Sequence, residues 1–400
     1  MSVFVETLRL NNFLSFAPGT EAFELLPLNV LIGPNGSGKS NLIEAFELLH
    51  ATPTGFAAAI RDGGGAPEWI WKGESNGDQT ATIEAILKGA TPGDLRYRLN
   101  FQPDPHQRVE VVDEAIEEKE PRRKGEQDVF FYYRFGSGRP VINVRNTEKS
   151  SRTGYAPRHL ERQSLSPHES VLSQRKDPDL YPELTWVGRQ FERIQTFREW
   201  SFGRYTGLRQ PQPADLPSDE LLPDARNLGL ILNELAHRDV GPQVNEYLRH
   251  FFPRYERLST RIQGGTVQFY LHERNFKTPI PATRLSDGTI RFLTLLAILL
   301  SPTPPPLACI EEPELGLHPD ALSLLAELLV QASKRMQLVV TTHSDALISA
   351  LTEHAESVVV CERVNGATQL RRVESERLQT WLKDYRLGEI WRIGEIGGNL

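Results

Sequence analysis

Eight consecutive residues, Gly33-Pro34-Asn35-Gly36-Ser37-Gly38-Lys39-Ser40, match the pattern G-x-x-x-x-G-K-[S/T] and carry the chemistry of phosphate binding. Glycines let the backbone close around a polyanion so that successive N–H groups face it. Lys39 has the reach for the outer phosphates, and the Ser40 hydroxyl is a ligand for Mg²⁺. Glu311 and Glu312 follow the apolar run Leu307-Ala308-Cys309-Ile310. There the first carboxylate can hold Mg²⁺, directly or through water, and the second can polarise an attacking water. Ser286-Asp287-Gly288 precedes an apolar stretch from Ile290 to Leu300. A serine at that position suits a helix N-cap, and it also makes an anion site able to grip a γ-phosphate presented by another subunit. His343 closes the run Leu338-Val339-Val340-Thr341-Thr342, from where an imidazole can sense the same phosphate.

These groups need a scaffold that brings strand ends together. Leu28 to Ile32 is an apolar run that predicts a buried strand, and Leu42, Ile43, Phe46 and Leu49 recur at helical spacing, so the order is strand, phosphate loop, helix. Val3 to Leu10 predicts a first strand. From Thr80 to Phe101 and from Asp128 to Val144, β-branched and aromatic residues alternate with polar ones, which predicts an antiparallel sheet. The charge run from Asp113 to Lys124 predicts a solvated hairpin tip or loop. From about 160 to 282 the pattern is helical, with prolines 211, 213, 217 and 223 marking a loop. The last third alternates strand and helix again, as an α/β sheet does. Three parts result: 1–150, an N-terminal lobe with the antiparallel subdomain; 151–282, a helical lobe; and 283–400, the C-terminal half. Glu311 stands about 270 positions after Lys39, with no long coiled-coil arm between them: the longest proline-free stretch, Glu183 to Gln210, allows a helix of at most about 40 Å.

With 39% hydrophobic and 24% charged residues, the 400-residue chain has the balance of a soluble globular protein with a substantial core. A formal charge of −7 argues against coating nucleic acid by bulk electrostatics. A local basic face is still available in Arg139, Arg145, Lys149, Arg152, Arg158 and Arg162, opposed by Glu148 and Glu161. Cys309 and Cys361 lie inside apolar runs without C-x-x-C or zinc spacing, which predicts core packing in a reducing cytoplasm. No basic-then-apolar leader opens the chain, and its longest apolar run, Phe292 to Leu300, is far short of a membrane span. The expectation is a cytoplasmic protein with no membrane contact.

Taken in order, GPNGSGKSN, LSDGT, CIEEPELGLHP and TTHS resemble the Walker A, signature, Walker B with D-loop, and switch-histidine motifs of ABC-type ATPases. Within these the chain is most similar to the RecF/SMC-like branch and its stand-alone bacterial and archaeal members. Leu10-Asn11-Asn12-Phe13-Leu14-Ser15-Phe16 and the segment from Trp381 to Trp391 share that likeness. The resemblance implies an α/β fold: an ABC-type P-loop NTPase with a mixed central sheet, an antiparallel β subdomain and an inserted helical lobe.

It also implies an ATP-sandwich homodimer, or a higher oligomer, using ATP and Mg²⁺. Gly33, Pro34, Asn35, Gly36, Ser37, Gly38, Lys39, Ser40 and Asn41 would bind ATP, with Asn12 and Phe13 near the base or ribose. Ser40 and Glu311 would hold Mg²⁺, joined by Gln174 as the Q-loop residue. Glu312, His343 and Lys39 would be catalytic, and Ser286, Asp287 and Gly288 would act in trans. Two departures stand out: Glu311 where the family usually has Asp, and Asp287 where it has a second Gly. An acid beside a γ-phosphate is unfavourable unless a cation or its own helix cap offsets it, so slow or partner-stimulated hydrolysis is expected; steady-state turnover near about 10 s⁻¹ would contradict it.

The functional expectation is an ATP-gated switch for a separately encoded effector, such as a nuclease, in prokaryotic antiphage defence. The 57 residues after His343 are too few for the Toprim nuclease domain of overcoming-lysogenization-type relatives. The alternative is a DNA repair or chromosome-maintenance ATPase that binds duplex directly. A transporter energy subunit fits poorly, because its phosphate loop and double acid lie much closer together. A binding module without hydrolysis is kept open by Asp287.

Overall fold

The computed structural model describes residues 3–73, 77, 79–90, 93–123, 125, 128–136, 139–145, 154–198, 201–374, 378 and 381–398. An antiparallel sheet is built from β1 (Val5–Asn11), β2 (Phe23–Glu24), β4 (Ala81–Leu87), β5 (Leu95–Pro103), β6 (Val109–Glu118), β7 (Phe131–Gly136), β8 (Arg139–Arg145) and β9 (Tyr155–His159). Its order is β2-β1-β4-β5-β6-β7-β8-β9. A second sheet has the order β10-β15-β16-β3-β17-β18. It comprises β3 (Leu28–Ile32), β10 (Gln195–Phe197), β15 (Leu307–Glu311), β16 (Gln337–Thr341), β17 (Val358–Val364) and β18 (Ala367–Arg372). Its strands run parallel except the edge strand β18. A third, smaller sheet joins β11 (Gln212–Pro213), β12 (Tyr255–Gln263), β13 (Thr266–Glu273) and β14 (Ile280–Pro281).

Burial on both faces explains why the inner strands of the second sheet are mostly apolar, with Asn29, Gln337 and Thr341 the buried polar residues of β3 and β16. Alternate residues feed two cores. Val30, Ile32, Ala308, Ile310, Leu338 and Val340 join one; Leu31, Leu307, Cys309, Val339, Val359 and Cys361 join the other. The first core is closed by α5 (Leu228–His237), α6 (Gly241–Phe251), α7 (Asp287–Leu299), α8 (Leu322–Ser333), α9 (Asp345–Ala350) and α10 (Leu387–Arg392). The second is closed by α1 (Lys39–Ala51), α2 (Phe56–Asp62), α3 (Val171–Gln174), α4 (Pro182–Glu192) and the inner face of the antiparallel sheet through Tyr97, Leu99 and Phe101.

One side chain ties the two sheets together. Gln337, fully buried at the start of β16, accepts from the backbone N–H groups of Phe4 (3.2 Å) and Val5 (2.8 Å) and donates to the carbonyls of Val5 (2.8 Å) and Leu26 (3.2 Å).

The α/β architecture agrees with the expected ABC-type fold, and α1 and α7, at 13 residues each, are the longest helices among the described residues. Two local expectations are corrected. Residues 113–118 continue strand β6 rather than forming a loop, and Glu114 and Glu117 are buried because partners satisfy them. Tyr97, Ser170 and the Val171 N–H donate to Glu114, while Arg96 and Arg134 pair with Glu117. The segment expected to be helical, 160–282, also holds the third sheet. There Val267, Phe269 and Leu271 are buried at alternate positions of β13, a period of two that strand pairing imposes. Among the described residues, no helix is long and apolar enough to cross a membrane.

Candidate nucleotide site

Parallel strands deliver their carboxyl ends to one edge of a sheet, where open α/β folds bind ligands. Here that edge collects the site. β3 ends at the phosphate loop, β15 at Glu311, β16 just before His343, and β10 just before Arg198. Register places Glu311 beside Thr341 and Thr341 beside Leu31, so β16 is the strand between the phosphate loop and the double acid. A cavity of about 430 Å³ opens there, lined by Asn35 to Asn41, Arg198, Glu311, Glu312, Leu315, Thr341, His343 and Arg363.

The loop geometry requires its glycines. Gly38 has φ of 101°, and a Cβ there would collide with the hydroxyl groups of Thr368 and Ser15. Thr368, on β18, donates to the Ser37 carbonyl (2.8 Å) and bonds Ser15, which accepts from Asn41 (2.7 Å). The loop is thus braced from behind by Thr368, which belongs to no motif, together with Ser15 and Asn41. Lys39 donates to the carbonyls of Gly33 (2.7 Å) and Pro34 (3.1 Å). Burial lowers its ammonium pKa from the ordinary range, against the opposing pull of Cys361, Glu312 and Glu311.

Glu312 sits at φ of 45°, a conformation costly for a residue with a Cβ. Neighbours hold it there: its N–H donates to the Thr341 carbonyl (3.0 Å), and Arg291 donates to its carbonyl (3.0 Å). The Glu312 carboxylate lies 3.7 Å from His343 Nε2. The backbone at His343 is held by buried Glu314, whose Oε1 accepts from the His343 main-chain N–H (3.0 Å) and the Thr342 hydroxyl (2.6 Å). The carboxylate pair and histidine expected from the sequence therefore do meet in one cavity with Lys39 and Ser40.

The Ser286 side chain caps α7, accepting from the Thr289 N–H (3.2 Å), and Gly288 lies so close to the carbonyl of Gly316 that a Cβ would collide with it. Ser286, Asp287 and Gly288 do not line the phosphate-loop cavity of their own chain.

Three expected site residues lie elsewhere. Gln174 ends the short helix α3, and its amide is consumed by Ser166, Glu169 and Ser170 beside a different cavity. Phe13 is fully buried edge-on against Phe101, and Asn12 is buried with its amide donating to the Thr80 carbonyl (3.0 Å). Core packing, not ligand contact, explains those two in this chain. Sequence reasoning missed Arg198, Glu314, Arg291 and Thr368. Of these only Glu314 had a local signal, standing two residues after the double acid.

The description "AAA domain, putative AbiEii toxin, Type IV TA system" belongs to the family model that matches residues 28–349. The chain belongs to that family. This AAA domain is 19% identical over 367 residues to an ATP/GTP phosphatase of Helicobacter pylori (strain ATCC 700392 / 26695), covering 87% of this chain and 88% of that protein. It is 28% identical over 172 residues to the Old nuclease of Escherichia phage P2, a match that spans 38% of this chain and only 28% of the nuclease.

Among solved structures, the SmcHead bound to the C-winged helix domain of ScpA aligns with a TM-score of 0.58 at 14% identity, covering 94% of this chain and 99% of that one. The Smc head domain with an extended coiled coil from Pyrococcus furiosus, bound to the C-terminal domain of ScpA, aligns at 0.53 and 13%, covering 95% and 99%. The AAA domain thus has the SMC-head fold.

Proposed function

We propose that two copies of this chain clasp ATP between them and that hydrolysis opens the pair, a cytoplasmic switch read by a separately encoded effector in antiphage defence. The observation that carries the reading is the split machinery. Phosphate loop, double acid and histidine line one cavity, while Ser286 to Gly288 stand outside it on a capped helix start. A helix N-terminus with exposed N–H groups is completed by a phosphate, and a second copy is the natural source.

The donor set fits Mg²⁺. The cation prefers few protein oxygens and takes its other ligands from phosphate and water. Ser40 and Glu311 supply a hydroxyl and a carboxylate in the shared cavity, and no group of three or more His, Cys, Asp or Glu suited to a metal occurs among the described residues. Bound Mg²⁺ would neutralise charge on the transferred phosphoryl group. Glu312 would polarise the water, His343 would contact the γ-phosphate, and the departures at Glu311 and Asp287 would keep turnover slow.

Complementation tests the shared cage. A Lys39→Ala protein and a Ser286→Arg protein should each be inactive. An equal mixture should recover roughly a quarter of the wild-type rate, because half the dimers are mixed and each holds one intact site. No recovery would refute the trans arrangement.

A second reading, direct duplex binding, is favoured by Arg139, Arg145 and Arg158, all exposed on β8 and the edge strand β9. Side-chain structure at Lys149, Arg152 and Arg162 lies outside the described residues. Duplex affinity falling steeply with salt would favour that reading; a flat response would reject it.

A further inference from the structure

Strand β10 pairs in parallel with β15, Phe197 opposite Ile310, so the next residue of each, Arg198 and Glu311, emerge side by side at the nucleotide edge. Arg198 Nε donates to Glu311 (3.1 Å), one terminal nitrogen to Glu47 (2.9 Å), and the other to Glu44 (3.4 Å). Ser40, Glu44 and Glu47 fall at i, i+4 and i+7 of α1, one stripe that begins at the hydroxyl facing the phosphates and continues as two carboxylates. Arg198 therefore closes a ring of three acids while itself lining the phosphate cavity.

Glu311 and Glu312 line the phosphate cavity, and Glu44 and Glu47 cluster with Glu311 around Arg198, so four carboxylates of the triphosphate's own sign would otherwise stand together at this end of the site. Like charges held close together in a partly dehydrated cavity repel strongly, so nucleotide binding without metal needs a compensating cation. Arg198 is planar and donates along fixed, separate directions, so it holds three acids in place more rigidly than a lysine ammonium on its flexible stem could.

Resting on the Mg·ATP reading above, we propose that Arg198 is a resident counter-cation of the magnesium carboxylate. It keeps Glu311 and the α1 acids neutralised, so that nucleotide binds before the metal, and it competes with Mg²⁺ for Glu311. Arg198 is on this account a positioning residue, acting through Glu311.

The test compares ATP affinity, measured by titration of a fluorescent ATP analogue, in Mg²⁺ and in EDTA. Wild type should bind in both conditions. In Arg198→Gln, metal-free affinity should fall by roughly tenfold or more, the Mg²⁺-bound affinity should change far less, and the Mg²⁺ concentration for half-maximal tightening should drop. Arg198→Lys should restore much of the metal-free binding, because the charge returns without the three-way clamp. A merely structural role would weaken both conditions alike, and an unchanged ratio in a folded Arg198→Gln protein would overturn the proposal. Should that variant lose its cooperative melting transition, Arg198→Lys decides: a loss of affinity confined to EDTA supports the counter-cation, and equal loss in both conditions overturns it. Wild type that binds ATP in neither condition would instead remove the nucleotide reading itself.

Discussion

Arg209 donates to the carboxylate of Asp287 from beneath the surface: the arginine side chain is 3% exposed and the aspartate side chain 71%. The same guanidinium donates to the carbonyls of Phe202 (2.7 Å) and Ala282 (3.3 Å) and to that of Leu285, so it is rigidly seated at the start of α7. This is the cation that an acid at a phosphate-facing helix start needs. Asp287→Gly should free that positive charge toward a partner's γ-phosphate. The expected outcome is a tighter ATP-dependent dimer and turnover raised several-fold, read by light scattering and phosphate release; slower turnover with a weaker dimer would contradict it.

Glu312→Gln removes the group proposed to polarise water while keeping its size and its strained backbone. Turnover should fall by roughly 10²- to 10⁴-fold, the usual worth of a general base. ATP should then hold the protein as a dimer that survives gel filtration, whereas an unchanged rate would assign the base elsewhere.

Gln337→Ala would take its partner from two backbone N–H groups and the Val5 carbonyl in the seam between the sheets, while the Leu26 carbonyl keeps the Asn29 amide (2.6 Å). Each buried polar group left without a partner costs about 1–3 kcal/mol, so a loss of at least roughly 3 kcal/mol is expected, seen as a lower urea midpoint. A midpoint within error of wild type would show that the seam does not need this staple.

Glu114 gives a pH signature. Burial raises its carboxyl to about 7, despite hydrogen bonds from Ser170, Val171 and Tyr97 that favour the charged form. With the folded pKa above the unfolded one, the folded state binds the extra proton. The stability this contributes is complete below about 4.5 and is lost as pH rises through about 7. A shift of this size corresponds to roughly 3 kcal/mol. Glu114→Gln should therefore cost more stability relative to wild type at pH 5 than at pH 8, by denaturant unfolding; an equal cost at both would mean that Glu114 titrates normally.

How much of this was legible in the chain follows from what each signal depends on. The phosphate loop, the double acid and His343 are local: an apolar strand ending in a polar group declares itself in a few residues, and parallel pairing of β3, β16 and β15 then brings those ends together. Gln174 was misplaced because a glutamine has no local mark of ligation, and its amide is consumed by the turn around it. Asn12 and Phe13 were misread because nearness to the loop in sequence says nothing of which way a side chain faces. The acids of β6 looked solvated because charge predicts exposure unless partners exist, and Arg96, Arg134, Tyr97 and Ser170 come from other segments.

Taken alone, the amino-acid order determined the phosphate chemistry, the α/β class and the strands that carry the acids, because backbone closeness to phosphate and strand burial are written in short runs. Only the folded chain decided that Arg198 stands on Glu311, that Arg209 balances Asp287, and that Thr368 braces the loop from 331 residues away. Those pairings join residues whose types are unremarkable singly. Their charges and hydrogen bonds acquire meaning only when tertiary packing removes water and leaves each group a fixed set of partners.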